Sequence, residues 1–253
     1  MTALLLGDLT GRSRVALRML TAALEERGHE VLMLPTALIS NTLSLGQCAV
    51  LDTTDYLLRA LRVWRELGIR CDIAYIGYIT GTQQAKALCD VADALRAAGV
   101  RVILDPILGD DGRRYRSVTD DQLAGMRLLM AHADLITPNW TEACLLADVP
   151  QDGTDGEAVT HCLAGEARGV LITGAHTRAG EDAVLGLEAG AGRAFAVRFE
   201  RVPGRHFGTG DLFAALLMDG LLAGAPLQEA AAAACAHIAA QLRGEEKRLI
   251  PNR

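Results

Sequence analysis

Short apolar runs alternate with longer amphipathic segments along the chain. The first run, Ala3 to Leu6, is typical of a buried strand that ends in a loop at Gly7-Asp8. Apolar residues then recur at helical spacing from Val15 to Arg27, and Gly28 is placed to cap that helix. A second strand is predicted from Glu30 to Leu34. The chain therefore opens with a strand, a helix and a strand.

The same alternation continues to the end of the chain. Further strands are predicted at 73–76, 100–104, 135–136 and 170–172, with an antiparallel pair at 183–187 and 194–199. Further helices are predicted at 52–67, 82–98, 120–131, 139–147, 211–223 and 226–242. Strands that alternate with helices imply an α/β fold with a mostly parallel sheet covered on both faces. The length of 253 residues fits one domain, residues 1–253.

Composition and charge narrow the range of partners. The net charge is -6 and no block of like charges is present, so we expect neither nucleic acid nor an anionic membrane as a partner. No apolar stretch approaches about 18 residues, and the N-terminus lacks the pattern of a signal peptide. The six cysteines are scattered without a CxxC pair, which favours reduced thiols. A cytoplasmic protein acting on a small molecule is expected.

Polar motifs follow several of the predicted strands. They are Gly7-Asp8, Gly77-Tyr78, Asp105-Pro106, Thr137-Pro138-Asn139 and Thr173-Gly174. In parallel sheets, ligands bind beyond the carboxyl ends of the strands. The five motifs are therefore candidates for one shared site.

The sequence Gly208-Thr209-Gly210-Asp211 precedes the apolar run Leu212 to Leu217. Glycines let consecutive N–H groups point the same way, and the dipole of the following helix favours an anion there. Such donors stabilise a phosphoryl group during transfer, and Asp211 could accept the proton of an attacking hydroxyl. The alternative is a glycine-rich loop in which Asp211 is a plain N-cap, and the tetrapeptide alone supports both equally.

Two further segments carry carboxylates. Residues 105–112 hold three aspartates within seven positions, which suits a Mg²⁺ ion bound directly or through water, or else a turn rich in Asp and Gly. In the segment from Thr137 to Glu142, Pro138 predicts a helix start that Asn139 or Thr141 could cap. Glu142 is favoured in the first turn by the helix dipole alone.

Taken in order, these motifs resemble the ribokinase superfamily, and within it the pyridoxal kinase group. The resemblance covers roughly residues 4 to 240. It is carried by Asp8-Leu9-Thr10-Gly11 with Arg14, Ser40-Asn41, Gly77-Tyr78-Ile79, Asp105 to Asp110 with Gly112 and Tyr115, Thr137 to Ala143, and Gly208 to Leu217. It implies a ribokinase-like three-layer sandwich with little or no lid.

The resemblance also implies ATP-dependent phosphorylation of the 5′-hydroxymethyl group of pyridoxal, pyridoxamine or pyridoxine, a step of vitamin B6 salvage. Asp211 would be the base, and Gly208, Thr209 and Gly210 would form the anion hole. The residues implied to hold nucleotide are Asp105, Asp110, Thr137, Asn139, Glu142 and Thr173, with Asp105, Asp110 and Glu142 next to the metal. The residues implied to contact the substrate are Asp8, Asn41, Thr42, Tyr78 and Asp211. The family uses MgATP, often with a monovalent cation such as K⁺, and commonly forms homodimers.

Three positions depart from the family pattern. Gly7 stands where the family has Ser or Asn, Leu43 replaces a hydroxyl-bearing residue, and a glycine-rich segment reads Gly11-Arg12-Ser13-Arg14. Losing a hydrogen-bond partner for a polar substrate lowers affinity for it. Two alternatives therefore stand: a kinase for another hydroxymethyl heterocycle such as hydroxymethylpyrimidine, and a non-catalytic vitamer or nucleotide sensor.

Overall fold

The computed structural model describes residues 1–188, 192–204 and 206–244, which form a nine-stranded sheet with helices on both faces. The strands are β1 (Thr2–Thr10), β2 (Glu30–Ile39), β3 (Val50–Asp52), β4 (Ile73–Ile76), β5 (Arg101–Leu104), β6 (Gly109–Asp110), β7 (Arg113–Arg114), β8 (Leu135–Ile136), β9 (Gly169–His176), β10 (Asp182–Glu188) and β11 (Arg193–Arg198). The helices are α1 (Leu17–Glu26), α2 (Thr54–Glu66), α3 (Thr82–Ala97), α4 (Asp120–Met130), α5 (Trp140–Ala147), α6 (Gly156–Glu166), α7 (Thr209–Leu222) and α8 (Leu227–Arg243). Within the described part of the chain, none of these helices combines the length and the apolar character needed to cross a membrane.

The large sheet is mostly parallel, as predicted. Its order is β11-β10-β9-β8-β5-β4-β1-β2-β3, and the pairings from β2 through β1, β4, β5 and β8 to β9 are all parallel. Antiparallel strands close both edges: β3 pairs with β2, and β9, β10 and β11 pair in series. Strands β6 and β7 form a separate hairpin after β5. The carboxyl ends of the parallel strands therefore share one edge of the sheet.

Alternate strand residues face two separate cores. Leu4 and Leu6 of β1 belong to a core that also contains residues of α2 to α6, such as Leu88 of α3. Leu5 belongs to the other core, which contains residues of α1, α7 and α8, such as Leu216 of α7. This alternation produces the three layers of the predicted α/β sandwich.

The largest errors of prediction concern the strand ends. Gly7 and Asp8 do not lie in a loop: β1 continues through both, with a register irregularity between them opposite β2. Likewise Thr173 and Gly174 lie within β9. Strand-forming apolar residues stop earlier than the strands do, because backbone pairing with a neighbouring strand continues through polar positions.

Several short elements were not predicted. They are β3, the β6–β7 hairpin and helix α6, whose sequence carries few strongly apolar residues. Helix α6 is stabilised by the side chain of Asp155, which caps it by accepting the N–H of Glu157 at 2.9 Å. Its first residue, Gly156, lies against Leu185 of β10, where a Cβ atom would come within 2.7 Å of Leu185 Cδ1. Tertiary contact therefore stabilises a helix that the apolar pattern does not reveal.

Candidate active site

The predicted site residues converge on the carboxyl edge of the parallel strands. Asp8 lies at the end of β1, Asp105 directly after β5, and Thr137 directly after β8. The Thr137 hydroxyl donates to Oδ1 of Asp105 at 3.0 Å. Asp211, from the first turn of α7, reaches this edge and contributes to the pKa shifts of both Asp8 and Asp105. The sheet and α7 therefore bring three carboxylates into one neighbourhood.

The glycine loop turns directly into α7. Gly208 is the N-cap residue and has a left-handed backbone with φ of 80°, a conformation that favours glycine. As a glycine, the N-cap residue has no side chain to cap the helix. Asp211 is its third residue, so the interpretation of Asp211 as a plain N-cap is wrong. Its Oδ2 instead accepts the backbone N–H of Ala16, just before α1, at 2.8 Å.

Burial raises the pKa of all three carboxyl groups, and the charge of Asp211 raises the pKa of the other two further. Burial and then the charge of Asp211 raise the pKa of Asp8 to about 7, and the same two causes raise the pKa of Asp105 to about 7. Burial raises the pKa of Asp211 to about 6, against the opposing effect of the Ala16 N–H. Such a cluster favours a cation or a hydrogen-bond donor from a ligand, which would offset the crowding of negative charge.

Tyr75 is a member of the site that the sequence did not indicate. It is 1% exposed on β4, and its hydroxyl donates to Oδ2 of Asp105 at 2.9 Å. Its ring lies beside two glycines, Gly7 and Gly77. A Cβ atom on Gly77 would stand 2.9 Å from both Cε1 and the hydroxyl oxygen of Tyr75. A tyrosine in an otherwise apolar buried strand was the available signal, since a buried hydroxyl usually has a partner.

The β8–α5 turn is tied to the loop that follows Asp105. Asn139 and Glu142 form a capping box at the start of α5, as the capping interpretation predicted. Glu142 Oε1 also accepts the N–H of Leu108 at 3.0 Å, and the Asn139 side chain donates to the carbonyl of Gly109 at 2.8 Å. Burial, followed by the charge of Asp105, raises the pKa of Glu142. The two residues thus fix the loop that carries Asp110.

The three predicted metal ligands are not gathered into one direct cluster. Among the residues that the structure describes, no group of three or more His, Cys, Asp or Glu side chains is arranged to hold a metal ion. Glu142 accepts backbone amides with both oxygens, and Asp105 accepts hydroxyls with both. Asp110 lies exposed on the β6–β7 hairpin, where it accepts the N–H of Asp111 at 2.8 Å. Carboxylate oxygens that already accept hydrogen bonds suit a hydrated cation that arrives with phosphate groups.

Thr173 lies on the same edge, next to the β8–α5 turn. Its N–H donates to the carbonyl of Pro138 at 2.9 Å, and it forms an isolated parallel bridge with Asn139. Its side chain is half-buried. The structure therefore places Thr173 beside Asn139.

The predicted substrate residues Tyr78, Asn41 and Thr42 lie towards β2. Tyr78 is 3% exposed and belongs to a small apolar cluster with Ala37, Ile39 and Leu43. The Asn41 side chain bonds within its own loop, accepting the Ser40 hydroxyl at 2.7 Å and donating to the carbonyls of Gln47 at 2.9 Å and Thr42 at 3.3 Å. The half-buried Thr42 precedes the short 3-10 turn Leu43–Leu45.

The fold and the sequence of this chain match known kinases. The family model described as phosphomethylpyrimidine kinase matches residues 23–249. A pyridoxine/pyridoxal/pyridoxamine kinase of Bordetella avium is 31% identical over 228 residues, which are 85% of this chain and 76% of that protein. A Bacteroides thetaiotaomicron protein described as a phosphomethylpyrimidine kinase and crystallised with pyridoxal has a TM-score of 0.86 and 28% identity, covering 98% of this chain and 89% of that one. Pyridoxal kinase of Lactobacillus plantarum has a TM-score of 0.81 and 28% identity, covering 98% and 91%.

The three-layer sandwich and the kinases that the chain matches place it among the kinases of the ribokinase superfamily. The chain belongs to the phosphomethylpyrimidine kinase family. This confirms the predicted fold class and the prediction that the chain is an enzyme.

Proposed function

We propose that the protein transfers the γ-phosphoryl group of ATP to the 5′-hydroxymethyl group of a vitamin B6 vitamer: pyridoxal, pyridoxamine or pyridoxine. The observation that carries this proposal is the position of Asp211 in the first turn of α7, directly after a glycine N-cap that has no capping side chain. A buried carboxylate with a pKa of about 6 is suited to accept a proton near neutral pH. The kinase of Bordetella avium and the Bacteroides protein crystallised with pyridoxal support the choice of substrate.

In the proposed reaction, Asp211 takes the proton of the substrate hydroxyl while the oxygen of that hydroxyl attacks the γ-phosphorus of ATP. The bond between that phosphorus and the bridging oxygen breaks, and ADP leaves with the electron pair. The backbone N–H groups of Gly208, Thr209 and Gly210 stabilise the charge on the transferring group. Asp211 thereby serves as the base and the glycine loop as the anion hole.

The nucleotide is assigned to the β5 and β8 side of the site. Asp105, Asp110, Thr137 and Glu142 would hold the triphosphate and its cations, Mg²⁺ and K⁺. The contacts would run largely through water, because the carboxylate oxygens of Asp105 and Glu142 already accept hydrogen bonds. Asn139 would support this network, and Thr173 would contact the nucleotide. When bound, Mg²⁺ would neutralise phosphate charge.

The vitamer is assigned to the opposite side, beyond the carboxyl ends of β4, β1 and β2. Tyr78 would lie beside its ring, and Asp8, Asn41 and Thr42 would contact its substituents. We further propose that the chain acts as one kinase domain over residues 1–253, as a homodimer and in the cytoplasm.

A second candidate substrate is hydroxymethylpyrimidine or a related heterocycle. Gly7 presents no side chain to the site, and Leu43 adds an apolar group to the Tyr78 cluster. Both positions thus lack a polar group for ring substituents, and the description of the matching family also names a pyrimidine kinase. A non-catalytic sensor is the third candidate, against which the arrangement of Asp211 argues.

Turnover against a panel tests these candidates. ATP consumption is measured with pyridoxal, pyridoxamine, pyridoxine and hydroxymethylpyrimidine, for the wild type and for Asp211→Asn. We expect phosphorylation of at least one B6 vitamer and a loss of about 100-fold or more in Asp211→Asn. Undiminished turnover in Asp211→Asn would overturn the mechanism, preference for the pyrimidine would favour the second candidate, and ATP binding without turnover would favour the sensor.

A further inference from the structure

We propose that three buried polar residues, Thr36, Gln84 and Gln122, act as a clamp that positions Tyr78 against the ring of the acceptor substrate. This inference rests on the proposed function, in which Tyr78 lies beside that ring. The three are positioning residues, because each bonds to the backbone around Tyr78, Gln122 also bonds to the Tyr78 hydroxyl, and none is assigned a contact with substrate.

Each clamp residue bonds to a different backbone position in the segment 78–80. The Thr36 hydroxyl donates to the carbonyl of Tyr78 at 2.6 Å. The Gln122 amide donates to the carbonyl of Ile79 at 2.8 Å, and Oε1 of Gln84 accepts the N–H of Thr80 at 2.9 Å. Three consecutive residues of a connecting segment are therefore held by side chains.

The clamp comes from three separate elements. Thr36 belongs to β2, Gln84 to α3 and Gln122 to α4. The members are also bonded onward: the Gln84 amide donates to the carbonyl of Thr36 at 2.9 Å, and Gln122 Oε1 accepts the N–H of Thr119 at 2.9 Å. Because the segment is tied to three elements, motion of one of them alone cannot release it.

The burial of the clamp shows what its hydrogen bonds are worth. Thr36, Gln84 and Gln122 are 0%, 2% and 4% exposed. Removing one partner of such a bond leaves a buried polar atom unsatisfied, which is unfavourable. Native bonding is therefore strongly preferred, and the carbonyl of Tyr78 has one defined position.

The side chain of Tyr78 is restrained by packing as well as by its fixed backbone. It packs in the cluster with Ala37, Ile39 and Leu43, and the partly buried Ile107 and Tyr115 pack against the same cluster. A fixed backbone combined with packing on the ring leaves few rotamers open to it. The clamp thus fixes the position of the Tyr78 ring before the substrate arrives, which lowers the entropic cost of binding.

The test compares Thr36→Val with Thr36→Ser and with Thr160→Val. Valine keeps the shape of threonine and removes the hydroxyl, whereas serine keeps the hydroxyl. Thr160 is the matched control, because it is 3% exposed and its hydroxyl donates to the carbonyl of Gly156 at 2.8 Å within α6. The KM for ATP is measured separately from the KM for the acceptor, which is the compound of the panel that the wild type turns over best. Amide hydrogen exchange of residues 77–82 is followed in the same four proteins.

In Thr36→Val we expect the acceptor KM to rise about fivefold or more, with the ATP KM within about twofold of wild type. Exchange of residues 77–82 should accelerate in that variant and stay unchanged in Thr160→Val, and Thr36→Ser should restore both readouts. Gln122→Met, which acts from α4, should reproduce the effect. An unchanged acceptor KM, or parallel changes in both KM values that Thr160→Val also shows, overturns the inference.

Failure of the proposed function is distinguishable from failure of the clamp. If the wild type phosphorylates no acceptor in the panel, the proposed function is overturned and the role of the clamp in substrate positioning falls with it. Exchange then decides separately whether the clamp holds the segment, and equal protection in Thr36→Val and wild type overturns that part too.

Discussion

At the scale of single residues, Asp211 shows how burial prepares a carboxylate for proton transfer. Its pKa of about 6 is above the ordinary value because burial disfavours the charged form. A base must be deprotonated to accept a proton, so activity is retained above this pKa and lost as the pH falls through it.

We therefore expect the rate of phosphoryl transfer to decline on the acid side with an apparent pKa between about 6 and 7. The range extends upward because Asp8 and Asp105, each with a pKa of about 7, interact with Asp211. The measurement is kcat/KM for the acceptor substrate from pH 5 to 8.5 at saturating MgATP. A rate that stays constant down to pH 5 would contradict the assignment of Asp211 as the base.

Tyr75 is predicted to affect the nucleotide side of the site. Tyr75→Phe keeps the ring between the glycines and removes the donor to Asp105, so one buried carboxylate oxygen loses its partner. We expect the free energy of unfolding to fall by about 1–3 kcal/mol and the KM for ATP to rise more than the KM for the acceptor. Urea denaturation and steady-state kinetics provide the two measurements.

Tyr56→Phe is the control for this substitution, because Tyr56 is 53% exposed on α2. It removes the same hydroxyl without affecting a buried carboxylate. Equal changes in the two variants would show that the Tyr75 hydroxyl has no particular role.

The sequence predicted Asp105, Asp211 and Glu142 as site residues, and the structure brings Asp105 and Asp211 to the same edge of the sheet. The sequence did not predict that Tyr75 or the backbone N–H of Ala16 belongs to the site. The apolar pattern around Tyr75 indicates burial and nothing about the partner of its hydroxyl, which lies 30 residues further along the chain. A backbone donor such as the Ala16 N–H has no sequence signal, because every residue except proline carries that group.

At the scale of elements, the turn between β1 and α1 is strained beside the site. Ala16 has φ of 51° and ψ of -136°, a conformation outside the regions open to residues with a Cβ atom, and Ser13 has φ of 79°. Strain of this kind costs on the order of 1–3 kcal/mol and persists where the surroundings enforce it. Here the enforcing contact is the bond from Ala16 N–H to Asp211.

Ala16→Gly should therefore raise the free energy of unfolding by about 1 kcal/mol, since glycine adopts this conformation without a steric penalty. Ala23→Gly within α1 is the matched control and should lower it by about 1 kcal/mol or more. Urea denaturation at pH 7 gives both values. A destabilised Ala16→Gly would show that the turn is not strained.

The ends of the helices were predicted more accurately from the sequence than the ends of the strands. The predicted helices at 82–98 and 120–131 end within one residue of α3 and α4, because their apolar faces, and in α4 the Thr119 cap, are local signals. The strands β1 and β2 extend beyond their apolar runs, and β3 was missed, because strand length depends on pairing with a distant segment. Local chemistry therefore determines helix ends, whereas tertiary pairing determines strand ends.

At the scale of the whole molecule, the fold holds Asp8, Asp105 and Asp211 together at one edge of a sheet whose interior is mostly apolar. This arrangement has a thermodynamic cost for the ligand-free protein. The pKa of Asp8 is about 7 in the folded state and has its ordinary lower value in the unfolded chain. Between these two values the folded state binds a proton that the unfolded state does not, so stability falls as the pH rises through this window.

Asp8→Asn removes the ionisable group, and with it the loss of stability that Asp8 causes as the pH rises. At pH 8, where Asp8 is ionised in both states, the variant should be more stable than the wild type by at least about 1 kcal/mol, because each pKa unit corresponds to about 1.4 kcal/mol. At pH 4 the two proteins should differ little, since the buried carboxyl is then protonated and neutral like the amide. Asp90→Asn, at an exposed position of α3, should show no such dependence on pH. Ligand-free proteins are compared by urea denaturation from pH 4 to 8, and a difference between wild type and Asp8→Asn that stays constant over that range would refute the account. A growing difference would show that the fold maintains the charge cluster of the active site at the expense of its own stability.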